Sequence, residues 1–185
     1  MNEIFVLEDF HPFPEELRTY ALSKEFIDWN APDGEVYKHI FIGDVPGIVP
    51  MLEGLFGPCK FLGTGFRLNY RGEVPNHAIH TDLGWGTHAL VLYLSHGDSG
   101  TAFWEHKPTK LDRIVEKDRW MAQLDIFNWD DESEWEQTRL VKEKFNRAVI
   151  YKSELFHSRY PFEAYGLSPS QGRLIAVAFF TPEKF

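Results

Sequence analysis

The tripeptide His80-Thr81-Asp82 carries the main chemical and structural signal of this chain. Residues i and i+2 of a β-strand project from the same face, so an imidazole and a carboxylate at this spacing can bind a metal from one side. Such a tripeptide also arises by chance, and a third ligand has to come from another part of the fold. Far downstream, His157 and then Arg173 complete an ordered set of residues. Two histidines and one carboxylate suit non-haem Fe(II) with open positions for O2 chemistry.

Short β-type runs surround this tripeptide and are separated by glycine, proline and aspartate. They predict strands at residues 4–7, 64–70, 77–82, 89–95, 101–104, 147–152 and 174–181. A helix is predicted at residues 14–26, because Pro14, Glu15 and Glu16 suit a first helical turn, and another at 48–55. Two more helices are predicted at 110–124 and 130–144, where the acidic run 130–136 resembles a helix start.

These elements predict one α+β domain over residues 1–185. Helices in residues 1–60 would support a double-stranded β-helix (jelly-roll) core in residues 61–185. The core would carry a helical insertion at about residues 107–145, with Trp120, Trp129 or Trp135 bordering the opening of the metal pocket. A chain of 185 residues is long enough for one substantial core.

Composition narrows the class of protein. The chain is 43% hydrophobic and 25% charged, which is typical of a globular protein. No apolar run is long enough to cross a bilayer, the N-terminus lacks a signal-peptide pattern, and the single Cys59 excludes an internal disulfide. We therefore expect a soluble protein of a reducing cytoplasm. The net charge of −9 argues against nucleic acid as a main partner and favours a small-molecule or peptidyl substrate. The oligomeric state does not follow from the sequence.

Several further stretches follow the metal tripeptide in a recognisable order. Residues 70–82, with Tyr70 at their start, resemble the segment ending in His-x-Asp of iron(II)- and 2-oxoglutarate-dependent oxygenases, in the prolyl-hydroxylase-like branch. Later stretches resemble the tyrosine-bearing strand, the Gly-Thr hairpin, the His-x-x-x-Pro motif and the Gly-x-Arg strand of that family: residues 90–95, 100–103, 157–161 and 172–174. The resemblance runs from about Phe61 to the C-terminus and fits a small bacterial or phage-type member.

The resemblance implies a role for each motif residue. His80, Asp82 and His157 would bind the catalytic Fe(II), while Arg173 and Tyr93 would hold the far carboxylate of the co-substrate 2-oxoglutarate. Tyr70 would contact the co-substrate nearer the metal. An unpaired charge inside a barrel is costly, and the arginine fork suits a carboxylate. The implied reaction uses O2 to hydroxylate the substrate and releases succinate and CO2.

Two departures from the family pattern lie outside these motifs. The segment between His157 and Arg173 is longer than in the shortest members, with extra residues within 162–171, and residues 107–145 exceed the needs of the core. The implied substrate is therefore not restricted to a prolyl residue.

Three alternatives compete with this interpretation. An iron oxygenase that does not use 2-oxoglutarate would have no need for Arg173 and Tyr93. A halogenase would carry a small residue in place of Asp82. A non-catalytic jelly-roll binding or structural protein, in which the triad is incidental, stays open and would be separated from an enzyme by iron content and succinate release.

Overall fold

The computed structural model describes residues 3–30, 36–72, 79–123, 126–129 and 131–183, which form ten strands, two α-helices and two 3-10 segments. The α-helices are α1 (Pro14–Leu22) and α2 (Ile48–Phe56), and the 3-10 segments are Glu116–Gln123 and Glu132–Glu134. The strands are β1 (Ile4–Leu7), β2 (Ile27–Asn30), β3 (Val36–Ile42), β4 (Cys59–Asn69), β5 (His88–Tyr93), β6 (Gly100–His106), β7 (Trp135–Lys142), β8 (Ala148–Lys152), β9 (His157–Tyr160) and β10 (Arg173–Pro182).

The strands form two antiparallel sheets of unequal size. The larger sheet has the order β1-β8-β5-β10-β4-β3-β2, and the smaller sheet has the order β7-β6-β9. Strand β10 lies between β5 and β4, and its register places Ile175 opposite both Tyr93 and Arg67. Side chains alternate along a strand, so Arg173 and Ile175 share one face of the larger sheet, while Leu174 lies on the other.

One face of the larger sheet is covered by the two helices. Leu17 and Ala21 of α1, and Ile48 and Leu52 of α2, are buried at i,i+4 spacing against this face. Helix α2 ends at Phe56, directly before Gly57 and within one residue of the predicted end. Helix α1 ends at Leu22, four residues before the predicted end, because the chain from Ile27 pairs with β3 as strand β2.

The opposite face of the larger sheet packs against the smaller sheet. Val91 and Tyr151 of the larger sheet and Phe103 and Val141 of the smaller sheet are buried in one cluster, which we call the inner core. Because this core joins the two sheets, their inner faces meet as in a β-sandwich.

The helices predicted within residues 107–145 are wrong. Residues 135–142 form strand β7, and the described part of residues 110–124 has isolated bridges at Leu111 and Arg113 and the irregular 3-10 segment Glu116–Gln123. Pairing with β6 outweighs the acidic, helix-like pattern before Trp135, since β7 buries Trp135 and Val141 against its neighbours. The second half of the expected insertion is therefore part of the smaller sheet. Residues 124, 125 and 130, which fall within the predicted insertion, lie outside the described part of the chain.

Other strand predictions agree with the structure to within a few residues, apart from residues 77–82. Residues 77 and 78 lie outside the described part of the chain, and His80 makes a single bridge with His157. Strands β2, β3 and β9 were not predicted. No helix in the described residues is long and apolar enough to span a membrane.

Candidate metal centre

His80 and His157 are brought together by backbone pairing. The N–H of each residue donates to the carbonyl oxygen of the other, at 2.9 Å in both directions. This antiparallel bridge extends the smaller sheet beyond β9. Residues directly opposite each other in such a pair project to the same side, and the two imidazole centroids are 4.4 Å apart.

Asp82 joins the histidines from two residues further along the chain. Its N–H donates to the carbonyl oxygen of Ser153 at 2.9 Å. Its Oδ2 is 3.2 Å from Nε2 of His157, and its Oδ1 is 3.9 Å from Nε2 of His80. One ligand atom from each of the three residues lies within 4.8 Å of the others, as expected for side chains around one metal ion. Two imidazole nitrogens and one carboxylate are a donor set for Fe(II).

Neighbouring groups orient two of these ligands. Nδ1 of His157 lies 2.9 Å from the carbonyl oxygen of Leu155, so this nitrogen carries the proton and Nε2 is left to face Asp82. The hydroxyl of Tyr151 donates to Oδ2 of Asp82 at 3.2 Å. The rings of Tyr151 and Phe103 also pack beside the His157 imidazole, at centroid distances of 4.6 and 6.5 Å.

The electrostatics of the triad follow from its burial. Burial disfavours the charge on Asp82, but the imidazoles of His157 and His80 outweigh it and lower the pKa of this carboxyl. Burial likewise disfavours the charge on His157, and the facing Asp82 outweighs it and raises the pKa of this imidazole. Burial, and then the charge of Asp82, raise the pKa of Tyr151, so its hydroxyl stays protonated and donates. The side chain of His157 is 5% exposed and that of His80 is 36% exposed, so the centre opens on the His80 side.

Arg173 and Tyr93 lie together inside the fold. Arg173 is 4% exposed, its Nε donates to Oγ of Ser99 at 3.1 Å, and its guanidinium carbon lies 5.6 Å from the centre of the Tyr93 ring. The Tyr93 hydroxyl is 2.7 Å from Oγ1 of Thr101. On β6, Thr101 is two residues from the position that pairs with His157. The hydroxyl pair therefore lies about 7 Å along the strand from the histidine row, one same-face step.

Tyr70 lies on the helix-covered side of the larger sheet. Its hydroxyl lies 3.0 Å from Nε2 of His39, the two rings are tilted by 31° with centroids 4.8 Å apart, and Tyr70 packs against the helix-covered core. Its expected contact with the co-substrate stays a prediction.

Of the tryptophans in residues 107–145, only Trp135 differs from the expectation, and the positions expected for Trp120 and Trp129 at the pocket opening stay a prediction. Trp135 is buried and stacks with Trp129, while Trp120 is exposed. Trp135 belongs to a cluster that includes Ile79 and Phe156, the residues that precede His80 and His157. The cluster therefore supports the metal-ligand strands from behind, and Trp135 offers no open apolar surface.

Sequence reasoning missed Tyr151, Ser99 and Glu143. Tyr151 lies in a buried apolar strand, and no motif marks it as a partner of Asp82. Glu143 was included in a predicted helix, although the structure buries it next to Ser99.

Comparison with known proteins adds a family and a fold. Residues 76–180 match the model described as "Family of unknown function (DUF6445)", which is more than half of the chain. This range includes His80, Asp82, His157 and Arg173. No curated protein matches the sequence.

Several solved structures, two of them with iron bound, resemble this fold over nearly the whole chain. Iron-bound HygX from Streptomyces hygroscopicus has 13% identity and a TM-score of 0.57, covering 99% of this chain and 83% of its own. The epimerase SnoN in complex with Fe3+, alpha ketoglutarate and nogalamycin RO has 15% identity and a TM-score of 0.51, covering 96% and 78%. The viral collagen prolyl hydroxylase of Paramecium Bursaria Chlorella virus-1 has 9% identity and a TM-score of 0.51, covering 97% and 89%. The expected likeness to the fold of iron- and 2-oxoglutarate-dependent oxygenases is confirmed.

Proposed function

We propose that this chain, which belongs to the family of unknown function DUF6445, is an Fe(II)- and 2-oxoglutarate-dependent dioxygenase that hydroxylates a small-molecule or peptidyl substrate. One observation carries the proposal. His80, Asp82 and His157 converge at the inner face of the two sheets, one same-face strand step from the buried pair Arg173 and Tyr93. A site with both parts has the residues that bind a metal and a dicarboxylate side by side.

Strand connectivity supports a double-stranded β-helix core. The central strands β8-β5-β10-β4 of the larger sheet face the order β7-β6-β9 of the smaller sheet, which His80 extends. From β4 onward the chain visits the larger sheet, His80, β5, the pair β6 and β7, then β8, β9 and β10. It thus crosses repeatedly between the sheets, as in a jelly roll.

The donor set fits Fe(II). The three side chains are clustered in a partly buried position, where a carboxylate between two imidazoles would be stabilised by a divalent cation. Bound there, iron would supply the redox chemistry that activates O2. The chain's own contribution is orientation: Leu155 fixes the tautomer of His157, and Tyr151 fixes the carboxylate of Asp82.

The second part of the site fits 2-oxoglutarate. Nε of Arg173 donates to Ser99, so the Nη atoms of its fork would be the donors to the far carboxylate, beside the ring of Tyr93. A five-carbon dicarboxylate has the length to connect this position with the metal ligands.

The substrate would approach from the side on which His80 is exposed. Trp85, three residues after Asp82, is half-buried and packs against Phe179 and Trp29 at centroid distances of 5.7 Å. Aromatic surface of this kind suits apolar or ring-bearing substrates.

The net charge of −9 continues to argue against nucleic acid as a partner. A cytoplasmic location is part of the proposal, because a chain with the single Cys59 needs no oxidising compartment.

Anaerobic reconstitution with Fe(II) tests this function directly. We expect one bound iron, and slow release of succinate from 2-oxoglutarate on exposure to O2 even without substrate. His157→Ala should abolish both, since two ligands seldom hold the metal. His96→Ala is the matched control, because His96 is exposed and stacks on Phe145. Succinate release and full iron occupancy in His157→Ala would contradict the assignment, as would wild-type protein that neither retains iron nor turns over 2-oxoglutarate.

A further inference from the structure

We infer that Glu143 is a positioning residue for the co-substrate: acting through Ser99, it holds Arg173 so that the Nη end of the guanidinium receives the far carboxylate of 2-oxoglutarate. The inference rests on the proposed function and extends it to a residue outside the family motifs. Glu143 directly follows β7 and is 8% exposed.

Glu143 accepts hydrogen bonds from four donors. Oε1 accepts from the hydroxyls of Ser95 and Tyr165, both at 2.6 Å, and from the N–H of Gly97 at 3.2 Å. Oε2 accepts a short hydrogen bond from the hydroxyl of Ser99. An ionised carboxylate offers acceptor sites for about four donors and donates nothing. The surroundings of Glu143 are therefore built for a buried negative charge.

The single proton of the Ser99 hydroxyl gives this arrangement a direction. Because that proton is donated to Glu143, the lone pairs of Oγ are left to accept from Nε of Arg173, at 3.1 Å. The negative charge of Glu143 is thus one hydroxyl away from the guanidinium. It stabilises the cation from the Nε edge and leaves the Nη edge for the incoming carboxylate.

The guanidinium is held on a second side by Tyr93, whose ring centre is 5.6 Å from its central carbon. Two supports in different directions fix the plane of a side chain that otherwise has many rotamers. Pre-organisation of this kind lowers the entropy lost when the co-substrate binds.

The longer segment between β9 and β10 takes part in this cluster. It carries Tyr165, whose hydroxyl reaches Oε1 of Glu143 and Oγ of Ser95. The ring lies so close to Gly97 that a Cβ there would overlap Cζ of the tyrosine, so the contact requires glycine at this position. The extra length between His157 and Arg173 thus serves to close the Glu143 cluster.

If Glu143 had a purely structural role, its substitution would weaken the binding of both 2-oxo acids equally. A positioning role predicts weaker binding only of the ligand that carries the far carboxylate, so titration with two ligands distinguishes these roles. The protein is loaded with Mn(II) under nitrogen, which prevents turnover, and titrated calorimetrically with 2-oxoglutarate and with 2-oxobutyrate, which lacks the far carboxylate. The variants are Glu143→Gln, Ser99→Ala and their combination, with Glu136→Gln, an exposed glutamate on β7, as control. Melting temperatures are recorded for each.

We expect Glu143→Gln and Ser99→Ala each to weaken 2-oxoglutarate binding about tenfold or more, as for loss of a charge-assisted hydrogen bond. Affinity for 2-oxobutyrate should change by less than about twofold, and the double variant should be no weaker than the weaker single variant, because both act through one contact. Glu136→Gln should bind both ligands as the wild type does.

Any one of three results would overturn the inference and leave the proposed function standing: unchanged 2-oxoglutarate affinity in Glu143→Gln, equal weakening of the binding of both ligands, or additive effects of the two substitutions. If Glu143→Gln fails to fold, Ser99→Ala and Tyr165→Phe carry the same test, since each removes one hydroxyl. Wild-type protein that binds Mn(II) but neither 2-oxo acid would overturn the proposed function itself.

Discussion

Replacing Tyr151 by phenylalanine should weaken metal binding while leaving the fold intact. The substitution removes one hydroxyl, which donates to Oδ2 of Asp82 at 3.2 Å. The ring remains, so its contacts with Phe103 and His157 are kept. The only group that changes is therefore the partner that orients the carboxylate ligand.

The size of the effect follows from that contact. A hydrogen bond to a charged group contributes about 1.5–3 kcal/mol, and at 3.2 Å this one belongs near the lower end. About 1.4–2 kcal/mol corresponds to a roughly 10- to 30-fold weaker metal affinity. Loss of an outer partner of a metal ligand commonly weakens binding by about 10- to 100-fold, in the same range.

Competition with a chelator under nitrogen measures this affinity for Fe(II) or Mn(II). Tyr20→Phe is the control, since it removes a hydroxyl on α1, in the helix-covered core. Equal metal affinity in Tyr151→Phe and wild type, at an unchanged melting temperature, would refute the reasoning: Asp82 would then be oriented by its backbone bond to Ser153 alone. Equal weakening in Tyr20→Phe would show that the effect is not specific to the site.

Three further predictions follow. Arg173→Ala should weaken 2-oxoglutarate binding by about two to nearly four decades, since loss of a buried charge pair costs about 3–5 kcal/mol, while iron binding stays nearly intact; an unchanged dependence on 2-oxoglutarate would move the anchor elsewhere. Trp135→Ala should lower the free energy of unfolding by about 3–5 kcal/mol in urea denaturation, because Trp135 is buried in the cluster behind the metal ligands; a loss below about 1 kcal/mol would contradict this. Burial, with a smaller effect of Lys152, lowers the pKa of His88 to about 4. The unfolded chain takes up this proton near pH 6.5, so stability should fall by roughly 3 kcal/mol between pH 6.5 and 4, and His88→Gln should remove that part of the pH dependence; identical profiles for variant and wild type would count against it.

The elements that could be predicted from the sequence are strands buried on both faces and elements whose buried residues recur at a regular spacing. Strand β5 is apolar from Ala89 onward because alternate residues face two different cores: Leu90 and Leu92 face the helices, and Val91 and Tyr93 face the inner core. Strand β7 lacks such a pattern. Its identity depends on hydrogen bonds to β6, a partner that local sequence does not specify.

The residues of the site also differ in how far local sequence predicts their positions. The spacing of His80 and Asp82 expresses a local rule of strand geometry, so these ligands could be predicted together. That His157 lies opposite His80, and not one residue away, depends on the register of the smaller sheet. Tyr151 faces Asp82 because β8 presents alternate residues to the inner core. Its apolar neighbours in the sequence do not indicate that its hydroxyl binds a carboxylate.

Glu143 and Asp82 are two carboxylates whose different surroundings give them different roles. Oε1 and Oε2 of Glu143 accept from three hydroxyls and one N–H, so its lone pairs are already used. Within the described residues, Asp82 has Tyr151 as its hydroxyl donor and otherwise faces the imidazoles of His80 and His157. Lone pairs saturated by donors make a fixed counter-charge, whereas lone pairs facing metal-binding nitrogens make a ligand. The number and kind of donors, more than burial itself, therefore assign Glu143 to the support of Arg173 and Asp82 to the metal.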